Sequence, residues 1–184
     1  AVSLVSNEAN GQVRDYTWSP HGGFLAFSLT DETGFSSVFV WERDGGTLRQ
    51  VTSDLFHEWN PAWDPDGEYL YYLSDRSFAP QLGSFEWNYL VDRETGVYAL
   101  ALRKDVPHPL PPESDEVTIE SVGESEDGSE DDAAAEPGDE PIAIEFDGLA
   151  RRVVRLPVEF DNYVGLSAGQ DQVFFIRTGA QFYG

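Results

Sequence analysis

Between Val13 and Thr52 the chain alternates short apolar runs with clusters of Gly, Pro, Asp and Ser. Short runs rich in Val, Phe, Leu and Trp, bounded by turn formers, are strand signals; apolar positions at helical spacing are scarce. The pattern predicts strands over Val13 to Trp18, Phe24 to Leu29, Ser37 to Glu42 and Leu48 to Thr52. Pro20-His21-Gly22-Gly23 and Asp44-Gly45-Gly46 lie between them, and Gly at such corners tolerates the positive φ that reverses a chain.

The pattern repeats at a spacing of 45 residues. Trp18, Pro20, Gly22 and Phe24 align with Trp63, Pro65, Gly67 and Tyr69, and Leu25-Ala26-Phe27 with Leu70-Tyr71-Tyr72. Strands of the second copy are predicted at Trp59 to Trp63, Tyr69 to Ser74, Val97 to Arg103 and Arg152 to Leu156. Two insertions interrupt it, Asp75 to Gly96 and Glu113 to Pro141. A third copy begins near Asn162-Tyr163 and runs through Val173 to Ile176 without the Trp-Ser-Pro signature.

Antiparallel strands grouped in fours at this period are the mark of a propeller blade. The expected class is all-β: a partial β-propeller of four-stranded antiparallel blades, about two full blades plus parts of two others. The expected boundaries are 1–12 for the end of a preceding blade, 13–53 for a blade, 58–158 for the interrupted blade and 159–184 for the start of a further one. In each copy the Trp-(Ser/Asp)-Pro-x-Gly segment joins the innermost strand to the second. Pro presets φ, Gly closes the turn, and the Trp fills the wedge between blades, worth on the order of 2–3 kcal/mol when buried.

Composition narrows the function. Among 184 residues there is no Cys, so disulfides, thiolate metal sites and Cys nucleophiles are excluded. There is no Met either, even at position 1, so a piece of a longer protein or a matured fragment is expected. The net charge is −23, and the 13 acidic residues from Glu113 to Glu140 meet no Lys or Arg. A nucleic-acid partner is therefore not expected, since phosphate binding needs clustered cations. No apolar run approaches the roughly 20 residues of a membrane span, and no membrane partner is expected. The acid run reads as a solvated, disordered insertion.

WSPHGGFLAFS and WDPDGEYLYYLSD resemble the WD-type propeller repeats of the TolB and tricorn kind. DETGFSSVFVWE and the stretch YLSDRSFAPQLGSFEWNYLVDRETGVYALALRKDVPHPLPPESDE resemble the second propeller of tricorn-type serine proteases, over Val13 to Glu116, with a looser likeness from Phe146 to Ile176. The resemblance implies a non-catalytic propeller portion that gates or channels peptides to a serine peptidase domain outside this chain. On that reading this segment is not itself an enzyme, while the parent protein is a hydrolase. The implied partners are peptides and other domains of the parent; the open faces of an arc of blades separately predict self-association. The expected compartment is the cytoplasm, with the periplasm as the alternative. A different class is a TolB-like interaction scaffold with no protease activity.

Candidate chemistry is sparse. His21, His57 and His108 fall in separate loops without metal-ligand spacing, and no Gly-x-Ser-x-Gly elbow is present. Asp64-Pro65-Asp66-Gly67 alternates acids as a Ca²⁺ loop does, but lacks the closing Glu and reads as a turn. No catalytic residue, no cofactor and no metal is expected. The aromatics of the first insertion, Phe78, Phe85, Trp87 and Tyr89, are the candidates for contact with peptide or with another domain.

Overall fold

The computed structural model describes residues 13–77, 93–110 and 142–179, with the backbone of 81–82 and 89–90. Strands β1 (Arg14–Trp18), β2 (Phe24–Thr30), β3 (Ser36–Glu42) and β4 (Leu48–Gln50) form one antiparallel sheet in chain order. The second sheet has the same plan: β5 (Glu58–Trp63), β6 (Tyr69–Ser74), then, past the first insertion, β9 (Gly96–Ala101) and β10 (Val153–Arg155). Inside that insertion β7 (Gln81–Leu82) and β8 (Tyr89–Leu90) pair as a hairpin. β11 (Tyr163–Gly169) and β12 (Gln172–Arg177) make a separate two-stranded sheet, and a turn of 3-10 helix (Leu149–Arg151) precedes β10. The fold is an all-β partial propeller.

The two repeated corners are built alike. Ser19 N–H donates to the Phe24 carbonyl and Gly22 N–H to the Ser19 carbonyl; Asp64 N–H donates to Tyr69 and Gly67 N–H to Asp64, all at 2.8–3.0 Å. The side chain before each Pro caps its turn. Ser19 Oγ accepts from Phe24 N–H at 3.1 Å, and Asp64 Oδ2 accepts from Glu68 N–H at 3.1 Å. Gly22 and Gly67 sit at φ 65° and 70°, the left-handed region where a side chain is strained. This is why Ser and Asp interchange at one position while Pro and Gly do not.

The sheets stack face to face in a fan. Ala26, Val38, Val40 and Val51 of the first sheet meet Trp63, Leu70, Tyr72, Tyr98 and Leu100 of the second. The other face of the second sheet packs Leu73 and Val97 against Tyr163 and Leu166 of β11. β6, covered by the first sheet on one side and β11 on the other, is apolar on both.

Trp63 is buried between the first and second sheets as expected. Trp18, also expected in the core, is 42% exposed and touches Trp41 edge-on at 6.1 Å. Its wedge faces away from the second sheet, and no described residue covers that side.

The root of the first insertion is tied by charge. Arg76 pairs with the fully buried Glu58 carboxylate, donates to the Tyr72 hydroxyl at 2.7 Å, and lies 4.7 Å from the Tyr98 ring centre. Stripping such a buried pair of one member costs about 3–5 kcal/mol, because the other charge stays desolvated. The acidic insertion lies outside the described residues.

Candidate functional site

The innermost strands β1, β5 and β11 stand side by side and form one wall. Each carries a register break: between Arg14 and Thr17, between Trp59 and Ala62, and between Val164 and Ser167. At each break one residue adopts positive φ: Asp15 at 52°, Asn60 at 55° and Gly165 at 65°. Asp, Asn and Gly are the residues that tolerate this region, so the sequence supplies a fitting residue at each bulge. Pro61, in mid-strand, is accommodated because the bulge requires no ladder N–H there.

The bulges aim side chains across the seams. Asn60 Nδ2 donates to the Leu166 carbonyl at 3.2 Å, and Leu166 N–H donates to Asn60 Oδ1 at 2.9 Å. This two-point clasp joins the second sheet to β11. The neighbouring seam uses another device: Trp63 Nε1 donates to the Thr17 carbonyl at 3.1 Å. At the equivalent of Leu166 the chain has Pro61, which has no N–H, so Asp15 forms no such clasp and instead accepts from Ser28 Oγ at 3.0 Å. At the equivalent of Trp63 it has Ala168, which has no indole. Along the inner strands the two seams are thus joined by devices of different kinds.

The wall encloses a concavity of about 400 Å³ bordered by Asp15, Tyr16, Trp18, Pro20, Asn60, Pro61, Trp63, Pro65, Leu166 and Ser167, among others. Tyr16 is 71% exposed at its rim. A larger groove, about 670 Å³, runs between the second sheet and β12. Tyr69, Tyr71, Leu156, Pro157 and Phe175 wall it, and Asp64, Asp66, Glu68 and Asp171 rim it. Burial pushes the Asp64 carboxyl above its ordinary value, against the Glu68 N–H, and Asp66 and Glu68 add to the rise. Burial, then Asp64, raises Tyr71 far out of its ordinary range. The Tyr69 hydroxyl donates to the Pro107 carbonyl at 2.5 Å and holds the Pro-rich loop against this groove.

The residues expected to make contacts all fall in the first insertion. Tyr89 lies in β8, its backbone paired with Leu82. Phe78, Phe85 and Trp87 lie outside the described residues. The histidines stay apart: His57 stands 5.0 Å from the Phe35 ring, His108 Nδ1 accepts from Leu110 N–H at 3.1 Å, and His21 sits in the first corner. Asp15 and Asn60 were missed by sequence reasoning, although a signal existed: each stands three residues before its repeat's Trp, at the same spacing of 45.

Residues 1–183 match the family described as "Tricorn protease second beta propeller domain". The chain belongs to that family. It is 24% identical over 173 residues to a tricorn protease homolog of Saccharolobus solfataricus, covering 94% of this chain and 14% of that protein. To tricorn protease homolog 1 of Streptomyces coelicolor it is 25% identical over 176 residues, covering 96% of this chain and 16% of that protein. The chain therefore spans a fifth or less of the length of the curated relatives it matches over most of its own. The crystal structure of the tricorn protease superposes with a TM-score of 0.63 at 20% identity, over 90% of this chain and 15% of that one, which is a likeness of fold. In this tricorn propeller segment the shared wall of β1, β5 and β11 is the feature that a ring of blades would turn toward its axis.

Proposed function

We propose that this segment is a non-catalytic part of a tricorn-like serine peptidase, and that its inner wall guides peptides to or from a catalytic domain outside this chain. The observation that carries the reading is the wall itself. Strands β1, β5 and β11 expose Asp15, Tyr16 and Ser167 around a concavity, while Asn60 and Trp63 hold the seams. Polar side chains and unpaired backbone on an inner strand suit an extended peptide, which offers the same groups. Val164, Phe174 and Ile176, exposed on β11 and β12, suit packing against another part of the parent.

The test is photo-crosslinking in the full-length parent protein, using a peptide with a photoreactive residue and mapping the adducts. Adducts on β1, β5 or β11 support the reading. Adducts confined to other domains, or none in this segment, refute it and leave the interaction-scaffold alternative.

A further inference from the structure

We infer that Asp15 is a recognition carboxylate, which receives a Lys or Arg side chain of a peptide lying on the inner wall. The inference rests on the reading of that wall as a peptide path and adds what the path selects. Asp15 and Asn60 occupy the same place in successive repeats, each at positive φ on a bulge. Asn60 spends both ends of its amide on Leu166. Across from Asp15, Pro61 has no N–H to donate, and a carboxylate has none to return, so both halves of the clasp are missing. A backbone that needed only a residue tolerant of positive φ is served by Asn at 60 and Gly at 165 without a charge. The carboxylate at position 15 is left facing solvent, with one oxygen bound by Ser28 Oγ.

Its surroundings fit a cation. Among the described residues lining the 400 Å³ concavity, Asp15 is the one charged side chain. Next to it Tyr16 is 71% exposed and Trp18 42% exposed. A carboxylate beside aromatic faces offers charge and ring quadrupole together, which suits a guanidinium or ammonium on a long apolar stem. A peptide's own terminal ammonium has the same charge but lacks that stem.

The experiment measures fluorescence anisotropy of labelled heptapeptides on the full chain at low salt. Peptides carry a central Lys or Gln, with the N-terminus free or acetylated. The expected result is a preference for Lys over Gln of about fivefold that survives acetylation. Asp15→Asn, which keeps a residue tolerant of positive φ, abolishes the preference; Asp15→Gly is the second variant if the first is unstable. Asp44→Asn, the same charge change at a distant exposed site, leaves the preference intact. The proposal is overturned if Asp15→Asn retains the preference, or if Asp44→Asn removes as much of it. It is also overturned if acetylation rather than Lys→Gln removes binding. Equal binding of Lys and Gln peptides sinks this inference alone, whereas no binding of any peptide sinks it together with the guiding role.

Discussion

The clasp at Asn60 can be measured by its removal. Asn60→Gly keeps a residue at ease at φ 55° and deletes two hydrogen bonds, one of 3.2 Å and one of 2.9 Å, between the second sheet and β11. Each bond contributes about 1 kcal/mol net, so the pair is worth about 2 kcal/mol. The extra freedom of Gly in the unfolded chain adds up to about 1 kcal/mol, partly offset by relief of residual strain at positive φ. The expected loss is therefore about 2–3 kcal/mol, or a fall in Tm of about 4–12 °C for a domain of this size. Asp15→Gly is the reference, because it makes a like backbone change at the equivalent bulge and loses only the single bond from Ser28 Oγ, with no clasp across a seam. Urea denaturation followed by Trp fluorescence reads both variants. A loss for Asn60→Gly no larger than that for Asp15→Gly refutes the idea that the amide joins the sheets.

The two corner glycines provide a second comparison. A Cβ on Gly67 would come within 2.5 Å of Ile142 Cγ1, whereas one on Gly22 meets only the Arg43 guanidinium at 3.5 Å. Both pay for positive φ, about 1 kcal/mol, so thermal denaturation is expected to show Gly67→Ala clearly less stable than Gly22→Ala; equal losses would mean Ile142 yields freely. A third prediction concerns pH. The Asn162 N–H, with Arg177 and Arg93, holds Asp161 below the ordinary carboxylate range against the effect of its burial. A lowered folded value adds stability above the unfolded value, and this is lost as pH falls through the folded one. Asp161→Asn is expected to be less stable than the parent chain at neutral pH and to converge with it in acid. A gap that stays constant in urea titrations across that range would refute the assignment.

Much of the fold was legible because its causes are local. The corner Trp-x-Pro-x-Gly fixes its own hydrogen bonds within a handful of residues, and Ser19 and Asp64 cap it from the same place. Apolar runs bounded by such corners can only be short strands, so β2, β3, β6 and β9 fall close to their expected positions. The 45-residue spacing extends this logic to architecture, since a sheet that cannot cover its own faces must be stacked on its neighbours.

What only the tertiary structure decided concerns pairs far apart in the chain. Asn60 and Leu166 are 106 residues apart, and nothing near either position announces the other. The identical place in the earlier repeat holds a carboxylate freed by a proline, a difference that matters only once β1 and β5 lie side by side. Trp18 and Trp63 read alike as wedges, yet one is buried and the other is 42% exposed, because burial depends on which sheet arrives on that side. The sequence by itself determined the strands, their corners and their repetition; the seams between blades, and the side chains left free on the inner wall, were set by contacts that exist only after the sheets have stacked.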